Sequence, residues 1–134
     1  MIYLYTRYRF GCASTVKAEQ WLEKHDIKYR VLSPQNIKGY HIKQILRLSD
    51  SIEDILLSRG AGRKTWEKLE INEEILEEMS LNSFIQLLER CPILLKNLIL
   101  FDDKRIVTGY HEEKIRAFLS SDYRQIVRRN SLHK

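Results

Sequence analysis

Sulfur, proline and glycine are scarce in this chain: two cysteines, two prolines and five glycines among 134 residues. Two cysteines cannot build a disulfide framework or a cysteine-rich zinc site. Cys12 and Cys91 could pair with each other, and the residues alone leave that open. The four histidines, His25, His41, His111 and His133, stand at no metal-ligand spacing to one another or to a cysteine. They read as scattered surface side chains, and no metal is expected. No apolar run approaches the ~20 residues of a membrane-spanning helix. The start, Met1-Ile2-Tyr3-Leu4-Tyr5, lacks the length and the basic residues of a signal peptide, so a cytoplasmic location is expected. There is no internal repeat, no low-complexity stretch and no cofactor fingerprint. Gly60-Ala61-Gly62-Arg63-Lys64 is too short for a phosphate loop and does not follow a strand; it reads as a hinge.

Hydrophobic residues make up 43% and charged residues 31% of the chain, the balance of a soluble globular protein. The length suits one compact domain. The formal net charge is +5, which raises nucleic acid or an acidic protein surface as partners. Positive charge thickens from Arg59 to Lys64 and from Arg124 to Lys134. Elsewhere it is mixed with Glu and Asp, so charge alone reads as solubility plus a solvated tail.

Ile2 to Thr6 alternates and is rich in Tyr and Ile, which predicts a strand. A helix follows from about Ala13 to His25, with Thr15, Ala18, Trp21 and Leu22 inward. Ile27 to Leu32 predicts a second strand, stopped at Ser33-Pro34. The middle is helical. Ile42, Ile45 and Leu46 share a face. Asp50 and Glu53 have capping-box spacing before Ile52, Ile55 and Leu56. Asn72 can cap a helix with Ile75 and Leu76 inward. Ser80 can cap another with Leu81, Phe84, Ile85 and Leu88 inward. Leu98 to Phe101, a turn at Asp102-Asp103-Lys104, and Arg105 to Thr108 have hairpin spacing. A last helix carries Ile115, Phe118 and Leu119 inward. The order β-α-β, helical block, β-β-α predicts an α/β fold: a thioredoxin-like four-stranded mixed sheet with a helical insert. The expected division is a discontinuous thioredoxin-like domain, 1–35 and 92–120, a helical insert at 36–91, and a basic extension at 121–134.

The feature with chemical potential is Cys12, at the entrance to the first helix. Free N–H groups and the positive dipole end at a helix N-terminus favour a thiolate. The competing reading is a small buried hydrophobe. The position three residues on, where a resolving thiol would stand, is Thr15 in Cys12-Ala13-Ser14-Thr15. A hydroxyl can bond a thiolate but cannot close a disulfide, so this motif is no CxxC switch. Cys91, at the end of the strongest helix, reads as a packing residue.

Several passages, taken together and in order, carry a family resemblance. They are Leu4-Tyr5-Thr6, Cys12 with Ala18 and Trp21-Leu22-Glu23, Ile42-Lys43-Gln44-Ile45-Leu46-Arg47, Lys68-Leu69, Asp102 to Arg105, Gly109-Tyr110, and Glu113 to Leu119. The chain resembles the Spx-like transcription regulators of the arsenate-reductase-like (ArsC) family, over nearly its whole length. The resemblance implies binding to the C-terminal domain of the RNA polymerase α subunit and a role in stress response; the basic residues Arg63 and Lys64 offer a weak or indirect contact with promoter DNA beside it. It implies no cofactor, and we expect a monomer when free. Arg47 matches an arginine used at the polymerase surface, although Ser49-Asp50-Ser51-Ile52 lacks the usual glycine. Arg124 and Arg129 match basic positions of the Spx tail. Thr15 replaces the second switch cysteine.

The same resemblance argues against arsenate reduction. Val16 and Asn97 stand where that branch has oxyanion-binding arginines, and Leu98 replaces a proline. Lys96 offers charge but no bidentate fork. No catalytic residue is therefore assigned. The alternative is a monothiol oxidoreductase, arsenate-reductase-like or glutaredoxin-like, using Cys12.

Overall fold

The computed structural model describes residues 1–7, 10–57 and 62–119. The hinge residues Gly60 and Ala61, Arg59, the tail residues Arg124 and Arg129, and His133 lie outside them. Four strands form one sheet: β1 (Ile2–Thr6), β2 (Tyr29–Leu32), β3 (Leu98–Phe101) and β4 (Ile106–Thr108), in the order β2-β1-β3-β4. β1 runs parallel to β2 and antiparallel to β3, and β3 runs antiparallel to β4. The predicted mixed sheet is therefore present. The second strand begins at Tyr29 rather than Ile27, because Ile27 still belongs to the exit of the first helix: its N–H bonds the Leu22 carbonyl.

Strand alternation divides the core between the two faces. Ile2, Leu4, Leu98 and Leu100 point to one face, where they meet Ala18, Trp21 and Leu22 of α1 (Ala13–Lys24). Ile115 of α6 (Glu112–Ile115) and the following Phe118 and Leu119 complete that side. Tyr5, Ile99 and Phe101 point to the other face, beneath α2 (Gly39–Leu48), α3 (Arg63–Lys68), α4 (Glu73–Glu78) and α5 (Leu81–Arg90). Burying each large aliphatic side chain there contributes about 1.5–3 kcal/mol. The phenol of Tyr5 donates to the Pro92 carbonyl at 2.9 Å, and burial pushes its pKa up to about 12.

The helical block is also tied by backbone to the segment that leads into β3. Leu56 bridges Leu95, Leu57 N–H bonds the Leu94 carbonyl at 2.8 Å, and Lys96 N–H bonds the Ile55 carbonyl at 2.8 Å. Asn72 and Ser80 cap α4 and α5 as expected: their side-chain oxygens accept from Ile75 and Ser83 N–H.

Four sequence expectations need correction. The Asp50–Glu53 box does not form; Ser51 precedes a single 3-10 turn, Ile52–Asp54. Leu81 is 65% and Ile75 40% exposed. Leu81 is the first helical residue, and its side chain leans back past the helix start. α4 has fewer than two turns, and Leu76 fills its inward position. His41 is not a surface histidine: it is 5% exposed, stacked edge-on against Tyr3, and its Nδ1 accepts from Lys38 N–H at 3.0 Å.

Candidate functional site

Cys12 is the residue at which the chain turns from the loop after β1 into α1. Its backbone is extended, and its carbonyl accepts the first helical bond from Val16 N–H. Gly11 before it has φ +84, the left-handed conformation that glycine adopts without strain. The thiol is half-buried, and its pKa is lowered. The largest cause is a hydrogen bond from the Thr15 hydroxyl. Thr15 and Ser14 N–H bonds and the Asn97 amide add to it, against a smaller opposing effect of burial. The thiolate is thus favoured by neutral donors, as expected at a helix entrance.

The donors are themselves held. Thr15 is fully buried, and its hydroxyl lies 2.9 Å from that of Thr6, which is also buried at the end of β1. Each hydroxyl has one hydrogen. When Thr15 donates to the sulfur, Thr6 must donate to Thr15. The Asn97 Nδ2 donates to Cys12 Sγ at 3.1 Å, while Oδ1 accepts from Arg7 N–H at 2.9 Å. That second bond fixes which end of the amide faces the sulfur. The Arg7 guanidinium donates to the Leu95 carbonyl at 3.2 Å.

The structure therefore brings Cys12, Thr15 and Asn97 together. By the resemblance Asn97 replaces an arginine; in the fold it is a hydrogen-bond donor to the thiol. Thr6 is a site residue that the sequence reading does not single out, although a hydroxyl closing an otherwise apolar strand is a visible signal. Both cysteines are free, and Cys91 packs against the core beneath α5. The site can hold a thiolate and present it to an electrophilic sulfur. It offers no second sulfur at Thr15. Among the described residues no group of His, Cys, Asp and Glu could hold a metal ion, and no helix is long and apolar enough to cross a membrane.

Arg47 lies apart from the thiol, exposed on α2. Its Nε donates to Gln44 Oε1 at 3.1 Å and its Nη2 to the Asp103 carbonyl at 2.6 Å. Gln44 in turn donates to the Asp102 carbonyl at 2.9 Å. The pair ties α2 to the β3–β4 turn.

Comparison with known proteins adds findings of three kinds. The model of the ArsC family matches residues 10–118. The chain is 36% identical to the global transcriptional regulator Spx 2 of Bacillus cereus over 126 residues, covering 92% of this chain and 91% of that protein. It is 36% identical to the global transcriptional regulator Spx of Listeria innocua over 121 residues, covering 89% and 87%. Among solved structures, a Staphylococcus aureus protein superposes with a TM-score of 0.69 at 22% identity, covering 90% of this chain and all of that one. An ArsC-family-related protein from Bacteroides fragilis superposes with a TM-score of 0.65 at 19% identity, covering 87% and 95%. The fold is shared with both.

Proposed function

The chain belongs to the ArsC family, in its Spx-like branch, and from that premise we propose that it is a cytoplasmic transcription regulator acting with RNA polymerase. The finer reading is that it binds the C-terminal domain of the polymerase α subunit, serves a stress response, and does so without a CxxC disulfide switch. The observation that carries this is the end-to-end similarity to regulators named Spx, at 36% identity. Thr15 in the resolving position and Asn97 in place of an oxyanion arginine agree with a binding protein. Arg47 is the proposed polymerase contact, with Arg124 and Arg129 as further basic contacts. The test is a pull-down with the purified C-terminal domain of α. Wild type should be retained and Arg47→Glu retained less, with an unchanged melting temperature. Retention of neither would refute the reading.

A second reading is favoured by the lowered pKa of Cys12. As a monothiol oxidoreductase, the Cys12 thiolate would attack one sulfur of glutathione disulfide. A Cys12–glutathione disulfide forms, the old S–S bond breaks, and glutathione thiolate leaves with the electron pair. Failure to detect that mixed disulfide by mass spectrometry would end this reading.

A further inference from the structure

The 3-10 turn Ile52–Asp54, α3 and α4 enclose a groove of about 540 Å³, within the roughly 300–1,000 Å³ range of binding clefts. Leu56, Trp66 and Leu76 supply its apolar lining, and Glu53, Glu73 and Glu77 line it with carboxylates. All three glutamates are exposed. In a chain of net charge +5, three carboxylates around one groove are a local reversal of sign.

Trp66 adds an independent observation. It is 6% exposed, and its Nε1 is buried without a hydrogen-bond partner among the described residues. Buried indole N–H groups ordinarily find an acceptor, and leaving one unpaired costs about 1–3 kcal/mol. The indole nitrogen is covered, so an occupant brings an acceptor to it only by displacing the groove wall; it must also bring an apolar body for Leu56 and Leu76 and positive charge for the glutamates. A polypeptide segment with lysine or arginine beside leucine or isoleucine brings all three, its own carbonyl serving the indole. Nucleic acid and anionic lipid are repelled by the carboxylates.

We propose that this groove docks a basic, apolar peptide segment of a partner protein. Arg47 is not among its residues, and the proposal stands apart from the polymerase reading.

The test uses the full-length, ¹⁵N-labelled chain and a short synthetic peptide, blocked at both ends, with lysine and leucine at helical spacing. A matched peptide with glutamate for lysine is the control. The lysine peptide should shift the Trp66 indole resonance and leave that of Trp21 in place. Glu73→Lys with Glu77→Lys, both on an exposed face, should weaken binding at least about tenfold. Trp66→Phe should weaken it several-fold, Arg47→Glu should leave it unchanged, and added salt should weaken it. Equal binding of the glutamate peptide, an unmoved Trp66 resonance, or full affinity in the double charge reversal would each overturn the proposal. Loss of polymerase binding in the Arg47→Glu protein, with the groove intact, concerns the other surface alone.

Discussion

At Cys12 the acidity of the thiol is set by hydroxyl and amide donors rather than by a neighbouring cation. Donors of this kind act only while they are aimed, so the residues behind them matter. Thr15→Val should move the alkylation midpoint of Cys12 up towards that of free cysteine and slow its reaction with iodoacetamide at neutral pH several-fold. Asn97→Ala should do the same to a smaller extent, because its bond ranks below those of Thr15. Thr6→Val tests the hydroxyl relay. It removes the donor that polarises the Thr15 hydroxyl, so the midpoint should rise, by less than in Thr15→Val, without any change at the sulfur itself. An alkylation profile untouched by Thr15→Val would show that the helix entrance alone sets the thiol.

At the scale of the element, helices α2 and α5 give opposite lessons. In α5, Leu88 is fully buried while Leu81 is 65% exposed, although both lie on one predicted stripe. Leu88→Ala should cost about 2–5 kcal/mol in urea unfolding, and Leu81→Ala less than about 0.5 kcal/mol. In α2, His41 is buried, and burial first, then Arg30 and Lys38, lower its pKa. The folded state therefore binds a proton less readily than the unfolded chain. Stability is present above the unfolded value, about 6.5, and falls as pH drops below it. Protonation also removes Nδ1 as acceptor for Lys38 N–H. Wild type should lose melting temperature between about pH 7 and pH 5, and His41→Gln, which keeps an acceptor but does not titrate, should flatten that loss. Strands and the α1 stripe were legible because alternation and helical spacing report burial directly. The fate of Leu81, Ile75 and His41 was not, because spacing names a face but not where the packing on that face stops. The site divides the same way. Cys12 and Thr15 are close in sequence, whereas Asn97 reaches the sulfur only because β3 lies beside β1.

On the whole-molecule scale, the two sulfurs have different surroundings. α1, which begins after Cys12, packs on one face, and Cys91 belongs to the core on the other. A disulfide needs Cα atoms within roughly 7 Å, and in the folded chain both thiols are free. A thiol oxidant should leave the monomer band unshifted on a non-reducing gel, or convert it to dimers and mixed disulfides that Cys12→Ser abolishes and Cys91→Ser does not. With no bond formed within the chain, oxidation leaves the α2 surface around Arg47 as it was. Binding to the C-terminal domain of polymerase α should be the same before and after oxidant. Loss of binding on oxidation in wild type but not in Cys12→Ser would make Cys12 a one-thiol sensor, acting by the bulk or charge of its adduct at the entrance to α1. Loss in both of those proteins but not in Cys91→Ser would move the sensing thiol to the end of α5.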